Sequence, residues 1–392
     1  MKTIGYLIFA GFYYIFRFFC RIKKKKVFCV MTHDAGRDGN VAVMAEYLKQ
    51  RNEGYTFAYL KKTERNRARD MSAGAAVLAF FLAKPYHLAT SELVLLDNIF
   101  LPMAYLRFNR RVRIIQLWHG TGTIKKFGQD VNRGHLKKLE KKANSRVTHL
   151  IVNSEYTRKR YAKIFGINEE KVFVCGLPRT DLFFDENKRE DRLREFYKKY
   201  PGLVGKKLIL YAPTFRDREV QSPRLALDTG IWCEEMPGDC VLLLRVHPYV
   251  ADAFEEKQLH KSDRLNTGKI RSMSSYPDIS TVLLAADCVI TDYSSVIFEY
   301  CILRRPMFFY AYDLEEFSDQ GRGFYENYET YVPGPVVRNT EALIALLKED
   351  RFEKEKTEAF IKESYKYFDG KSAERIYLHI ISGGSGNGRT EY

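Results

Sequence analysis

Cysteine pairs are missing from this sequence. Its seven cysteines, at 20, 29, 175, 233, 240, 288 and 301, are odd in number and form no CxxC. That excludes a disulfide framework and a zinc site, and fits thiols buried in a reducing compartment. No GxGxxG and no Walker loop is present, so neither fingerprint carries the chemistry. No carboxylate cluster has the spacing of metal ligands. The first apolar stretch falls short of the about 20 residues a spanning helix needs. It ends in Phe18-Phe19-Cys20-Arg21, which is not the small-residue cleavage site of a signal peptide. Acidic residues are in deficit, 49 against 64 Lys and Arg, for a net charge of +15. Such a balance suits nucleic acid, an anionic membrane surface or a phosphate-rich substrate, without choosing among them.

What is present begins with length. The chain has 392 residues, enough for two domains, and 45 % hydrophobic content supports globular cores. Residues 1–25 form a first segment. Ile4–Phe19 is apolar and aromatic apart from Arg17, and Arg21 and Lys23–Lys26 follow it. The fitting picture is a membrane-associating helix in the interface, aromatics down and lysines against anionic headgroups. A single span, and a helix buried against the protein or a partner, are the alternatives.

From Lys26 onward β-type runs alternate with helical periodicity. Strands are expected over Lys26–Met31, Tyr55–Leu60, Ala89–Leu96, Val112–Leu117, Val147–Val152 and Lys171–Cys175. A second series covers Leu208–Tyr211, Val241–Val246, Cys288–Thr291 and Pro306–Tyr310, and Met71–Leu82 reads as an Ala-rich helix. The pattern is that of an α/β chain with two doubly wound, Rossmann-like domains, 26–185 and 186–365, facing a cleft. A last helix covers 366–382, and the polar, Gly-rich 383–392 is expected to be disordered.

Ligands belong at strand carboxyl ends in such sheets. Ser294 and Ser295 follow the run Cys288–Thr291 and can cap a helix with Val296, Ile297, Tyr300, Cys301 and Leu303 on its buried face. Unpaired N–H groups and hydroxyls there make a phosphate seat, with Glu299 one turn further in to hold a ribose hydroxyl. An ordinary capped helix explains the serines equally well when they are taken alone. Thr214 and Arg216 follow another strand, and Arg245 and His247 a third; two arginines, a histidine and hydroxyls suit a pyrophosphate. His119 ends the run Val112–Leu117, before Gly120 and Thr121, and Lys125 and Lys126 can meet phosphate. Alone, His119 is as readily a hydrogen-bonded structural histidine. His33 and Asp34 read as loop residues, and His135 and His149 as non-catalytic.

Six motifs stand in one order. They are Gln116-Leu-Trp-His-Gly-Thr121 with Lys125-Lys126, Gly176-Leu-Pro-Arg-Thr-Asp181, Tyr211-Ala-Pro-Thr-Phe-Arg216, Arg245-Val-His-Pro248, Thr291-Asp-Tyr-Ser-Ser295, and Arg322-Gly-Phe-Tyr325 through Pro333-Gly-Pro335. Together, over about residues 26–380, the chain resembles the CDP-glycerol glycerophosphotransferases of wall teichoic acid synthesis, the TagB/TagF-like group. The resemblance implies a GT-B fold whose final helix crosses back to the first domain. It implies CDP-glycerol as donor, CMP as product and a polyprenyl-diphosphate-linked disaccharide as acceptor. It also implies peripheral attachment to the cytoplasmic face of the cell membrane. Polymerase-type members carry extra length before the catalytic part, so the chain resembles the shorter, primase-like members. One departure stands out: the family's usual Pro-Leu after His-Gly-Thr is replaced by Gly122-Thr123-Ile124, which leaves the acceptor and the alditol open.

The chemistry this implies is phosphoryl transfer, in which an acceptor hydroxyl attacks the β-phosphorus and CMP leaves. His119 is the expected general base and His247 the pyrophosphate ligand, roles the two could exchange. Arg216 and the Ser294/Ser295 helix start would neutralise the leaving phosphate, Thr214 would add a hydroxyl and Glu299 would hold the ribose. No tightly bound metal is expected, although Mg²⁺ can arrive with the donor. Rival readings are a CDP-ribitol enzyme, a nucleotide-sugar glycosyltransferase of the same fold, and a basic binding protein. The last would need basic residues gathered with aromatics on a stacking surface; no nucleic-acid partner is expected.

Overall fold

In the computed structural model, which describes residues 2–33, 36–67, 74–214, 216, 225–246, 268–319, 321–349 and 352–383, the β-type runs assemble into two six-stranded sheets. The first contains β1 (Lys23–Met31), β2 (Thr56–Lys61), β3 (Ser91–Leu96), β4 (Arg113–Gln116), β5 (His149–Val152) and β6 (Val172–Val174), in the order β2-β1-β3-β4-β5-β6. The second contains β7 (Lys207–Ala212), β8 (Cys240–Leu244), β9 (Ile270–Ser272), β10 (Cys288–Thr291), β11 (Met307–Tyr310) and β12 (Val336–Val337), in the order β12-β11-β10-β7-β8-β9. Every pairing is parallel. Parallel sheets are covered on both faces, which is why their strands read as unbroken apolar runs such as Val27–Met31.

The chain divides into two compact units. One takes the described residues of Met1–Thr121, Phe127–Phe184 and Tyr365–Tyr392; the other takes Gly122–Lys126 and those of Asp185–Ser364. In the first unit, Ala373, Ile376, Tyr377, Ile380 and Ile381 fill the core beside Val27, Cys29, Leu93 and Ile115. Asp181 caps that last helix, accepting the N–H groups of Ser372 and Ala373, both at 2.9 Å. Gly176 stands at φ +80, and a Cβ there would lie 2.4 Å from the Ser372 hydroxyl, so the first residue of the Gly-Leu-Pro-Arg-Thr-Asp motif must be glycine. In the second unit, Trp232, Leu242, Leu244, Ile290, Phe308 and Leu343 form the core. The described residues carry seven free cysteines, five of them buried.

The N-terminal helix runs Lys2–Phe19. One face docks on the first unit: Phe9, Ala10 and Tyr13 are buried, with the Phe9 ring 5.5 Å from Phe100 and 6.2 Å from Phe80. The other face leaves Ile4, Leu7, Ile8, Ile15, Phe18 and Phe19 exposed, Phe18 by 83 %. Leu78 and Leu82 of the neighbouring helix Gly74–Ala89 are exposed as well. Among the described residues no helix is long and apolar enough to cross a membrane.

The lysines that follow do not all face outward. Residues 23–26 open β1, and Lys26 is buried, its ammonium 2.6 Å from the Thr90 hydroxyl and over the Tyr86 ring. Burial, with Lys23 beside it, pulls its pKa down to about 8. The expectation that the whole run lies against headgroups is therefore corrected at Lys26. Of the expected tail, residues 384–392 lie outside the described residues.

Candidate functional site

Each sheet changes direction at one point, between β1 and β3 in the first and between β7 and β10 in the second. The carboxyl ends of the strands at such a point flank the ligand crevice of a doubly wound sheet.

In the first unit three strand ends meet there. Asp97 follows β3, and its buried carboxylate accepts the N–H groups of Thr32 and His33 at the end of β1, both at 2.9 Å. Its main-chain oxygen lies 2.9 Å from Nδ1 of His119, just beyond β4. A carbonyl only accepts, so Nδ1 carries the hydrogen and the neutral ring presents its lone pair at Nε2. That is the tautomer a general base needs. The turn before it is strained, with Trp118 at φ +57, and is held by a buried side chain. Asn40 donates to the carbonyls of Leu117 (3.2 Å) and Trp118 (3.0 Å) and accepts the Arg179 N–H (3.0 Å). Arg179 in turn donates to the His119 carbonyl at 2.7 Å. Asn40 and Arg179 are positioning residues that composition and spacing did not reveal. Arg179 stood within a motif, but nothing in the sequence said which loop it clasps.

The expected phosphate and acceptor contacts are divided between the two units. The Gly120 carbonyl accepts the Tyr161 hydroxyl at 3.3 Å, and Thr121 is fully buried. Lys125 and Lys126 belong to the second unit, where their segment pairs with the Arg322–Tyr325 motif. Lys126 N–H donates to the Gly323 carbonyl (3.0 Å), and Lys125 bridges Phe324. Gly122, where the family pattern breaks, packs so closely on Phe298 that a Cβ would lie 2.4 Å from its ring.

In the second unit Thr214, Arg245 and Ser294/Ser295 follow the adjacent strands β7, β8 and β10. His247 lies outside the described residues. The Thr214 N–H donates to Asp292 at 2.8 Å; its hydroxyl is buried with no hydrogen-bond partner among the described residues. Ser294 Oγ accepts the Val296 N–H at 3.4 Å, while Ser295 makes no side-chain cap to the helix Val296–Tyr300. Glu299 is buried on that helix.

The two arginines have several partners within the second unit. Arg216 makes a two-pronged pair with Asp313 (2.6 and 2.7 Å), a third bond to Asp292 (2.9 Å) and a fourth to the Thr214 carbonyl (2.6 Å). Burial opposes its charge, but the Asp313 hydrogen bonds and the Asp292 charge outweigh it and hold the pKa above the ordinary value. Four of its five N–H groups are committed, so it braces the loops that follow β7, β10 and β11. Arg245 donates to the carbonyls of Met273 (2.6 Å) and Tyr276 (3.0 Å), and burial lowers its pKa. It too spans two loops. His149 is pushed down to about 4 by burial and by Arg113 and Lys171, so it stays neutral at ordinary pH. Among the described residues no three His, Cys, Asp or Glu side chains gather as metal ligands would.

The profile of the family described as CDP-glycerol:poly(glycerophosphate) glycerophosphotransferase matches residues 12–382. The chain is 32 % identical over 388 residues to the teichoic acid poly(ribitol-phosphate) polymerase of Bacillus spizizenii, covering 97 % of this chain but 60 % of that protein's length. It is 34 % identical over 302 residues to the teichoic acid glycerol-phosphate primase of Bacillus subtilis, covering 75 % of this chain and 74 % of the primase. The wall teichoic acid polymerase TagF has the same fold, with a TM-score of 0.74 at 25 % identity over 91 % of this chain and 88 % of that one. A TagF variant soaked with CDPG gives 0.75.

Proposed function

The chain belongs to the CDP-glycerol:poly(glycerophosphate) glycerophosphotransferase family, and we propose on that premise that it transfers glycerol phosphate from CDP-glycerol to a membrane-held, polyprenyl-diphosphate-linked saccharide. The acceptor hydroxyl attacks the β-phosphorus, forming the new P–O bond. The bond from that phosphorus to the bridging oxygen breaks, and CMP leaves with the electron pair. The hydroxyl proton passes to His119 Nε2. One observation carries this reading: His119 stands at the first sheet's crossover with Nδ1–H held by the Asp97 carbonyl. The donor's phosphates are assigned to the second unit, to the Thr214 hydroxyl, Ser294 and the motif histidine His247. Mg²⁺, where it takes part, comes with the donor.

CDP-ribitol is the second reading, favoured by the ribitol-phosphate polymerase that matches 97 % of this chain. Purified protein incubated with each CDP-alditol, with and without a short-chain polyprenyl-diphosphate disaccharide, decides between them by CMP release. Acceptor-dependent CMP from CDP-glycerol and a product heavier by one glycerol phosphate are expected. A ladder of products marks a polymerase, and turnover with CDP-ribitol alone changes the donor. No CMP from either refutes the reading and turns attention to nucleotide sugars.

We further place the protein on the cytoplasmic face of the membrane, through the exposed side of the helix Lys2–Phe19. Ile4, Leu7 and Phe18 are more than half exposed there, and burying three such side chains in lipid stabilises binding by several kcal/mol, about 1.5–3 each. Changing all three to glutamate is expected to weaken flotation with phosphatidylglycerol vesicles at least about tenfold, with the thermal melt unchanged. Equal flotation of the triple variant would rule this face out.

A further inference from the structure

The His33 ring lies flat against that of His119, with centroids 3.6 Å apart and planes 4° from parallel. We propose that His33 is a positioning residue for the transfer reaction, locking the plane of the His119 imidazole so that Nε2 aims at the acceptor hydroxyl. The inference rests on the reading of His119 as the base.

The need for such a lock follows from the ring's own freedom. The torsion that swings an imidazole about its Cβ–Cγ bond is broad and nearly two-fold. The hydrogen bond from Nδ1 to the Asp97 carbonyl pins one atom of the ring. It leaves the ring able to rock about that contact, and Nε2, on the far side, moves most. A parallel ring at van der Waals distance removes the rocking motion. The Trp118 ring, 3.9 Å from the same imidazole and tilted by 32°, adds a second wall.

Asp97 ties the arrangement together. Its main-chain oxygen holds His119, while its carboxylate holds the backbone of Thr32 and His33. One buried residue thus sets the position of both rings, and the end of β1 enters the site through the stacked ring of His33. A structural role for His33 is a poor account of it. The side chain is exposed, so its removal opens no core.

The tests compare His33→Ala with His33→Phe, which keeps a flat ring and removes both nitrogens. In the CMP-release assay His33→Ala is expected to lower kcat about tenfold, since small misplacements of a reacting group are costly. KM for CDP-glycerol should stay within about twofold, and His33→Phe should recover most of the loss. Unchanged kcat in His33→Ala overturns the proposal. So does a His33→Phe variant as slow as His33→Ala, because the nitrogens would then be the active feature. A second readout does not depend on turnover. Ring protons of His119, assigned by their loss in His119→Gln, should show an upfield ring-current shift that disappears in His33→Ala and persists in His33→Phe. If the wild-type protein shows no such shift, the stack is absent in solution and the proposal fails. A wild-type chain that shows the shift but releases no CMP refutes the transfer reading instead.

Discussion

Replacing His119 with alanine is expected to cut CMP release about a thousandfold, within the range a general base contributes. The fold and donor affinity should be nearly unaffected. His119 is only half-buried, and the turn before it is fixed by Asn40 through the carbonyls of Leu117 and Trp118. The backbone of the site therefore has a support that does not involve the imidazole. What the substitution removes is the acceptor at Nε2, the nitrogen left without a hydrogen when Nδ1–H bonds to the Asp97 carbonyl. Steady-state CMP release, a thermal melt and a CMP titration separate the effects. Retention of more than a tenth of wild-type kcat would remove His119 from the proton-transfer step. A collapsed melt with equal loss would make it a structural residue.

The second large effect concerns stability. Arg216→Met is expected to destabilise the second unit by about 3–5 kcal/mol, the cost of breaking a buried ion pair from one side. The guanidinium balances two carboxylates whose side chains are 2 % and 14 % exposed. Asp292 also accepts the N–H groups of Thr214 (2.8 Å) and Tyr293 (2.7 Å), and the Tyr293 hydroxyl donates to Asp313 at 2.9 Å. Without Arg216 these groups would hold two like charges in a poorly hydrated pocket. Arg216→Lys keeps the charge but cannot make the two-pronged bond, so it should recover only part of the loss. Urea unfolding followed by the signal of the second unit measures both. A loss below about 1 kcal/mol, the level of an exposed pair, together with abolished transfer, would favour the phosphate-binding role its motif suggested over the bracing one.

The contrast between these residues marks what could be read in advance. Parallel strands covered on both faces appear as short apolar runs, and Cys288–Thr291 is a strand in sequence and structure alike. The edge strands of the second sheet lack that signature. β9 has three residues including an exposed Arg271, and β12 has two, so neither produced a pattern to find. The helix expected over Met71–Leu82 instead continues through Pro85 to Ala89, because Tyr86 packs on Phe16 and Leu88 is buried. Tertiary packing overrides the breaker there. In the site, residue type pointed to Arg216 and Arg245 as free cations. What decides their availability is Asp313 and two carbonyls beyond β9, brought in by the fold from far along the chain. His33 was passed over for the same reason, since its partner is supplied by a different strand.

The last helix has a consequence for how the protein is made. Ala373, Ile376 and Ile380 complete the core around β1 and β3, yet the ribosome adds them after the whole stretch Asp185–Ser364 has been made. At about 5–20 residues per second that interval lasts on the order of ten to forty seconds. Through it the nascent first unit keeps one side of its sheet only partly covered, by the helix Asn40–Gln50, while the apolar N-terminal segment is already outside the tunnel. The second unit needs from earlier chain only Gly122–Lys126, so it can mature first. A transcript cut short before residue 365 would yield a chain with a finished second half and an open, sticky first half, a natural client for chaperones and proteases.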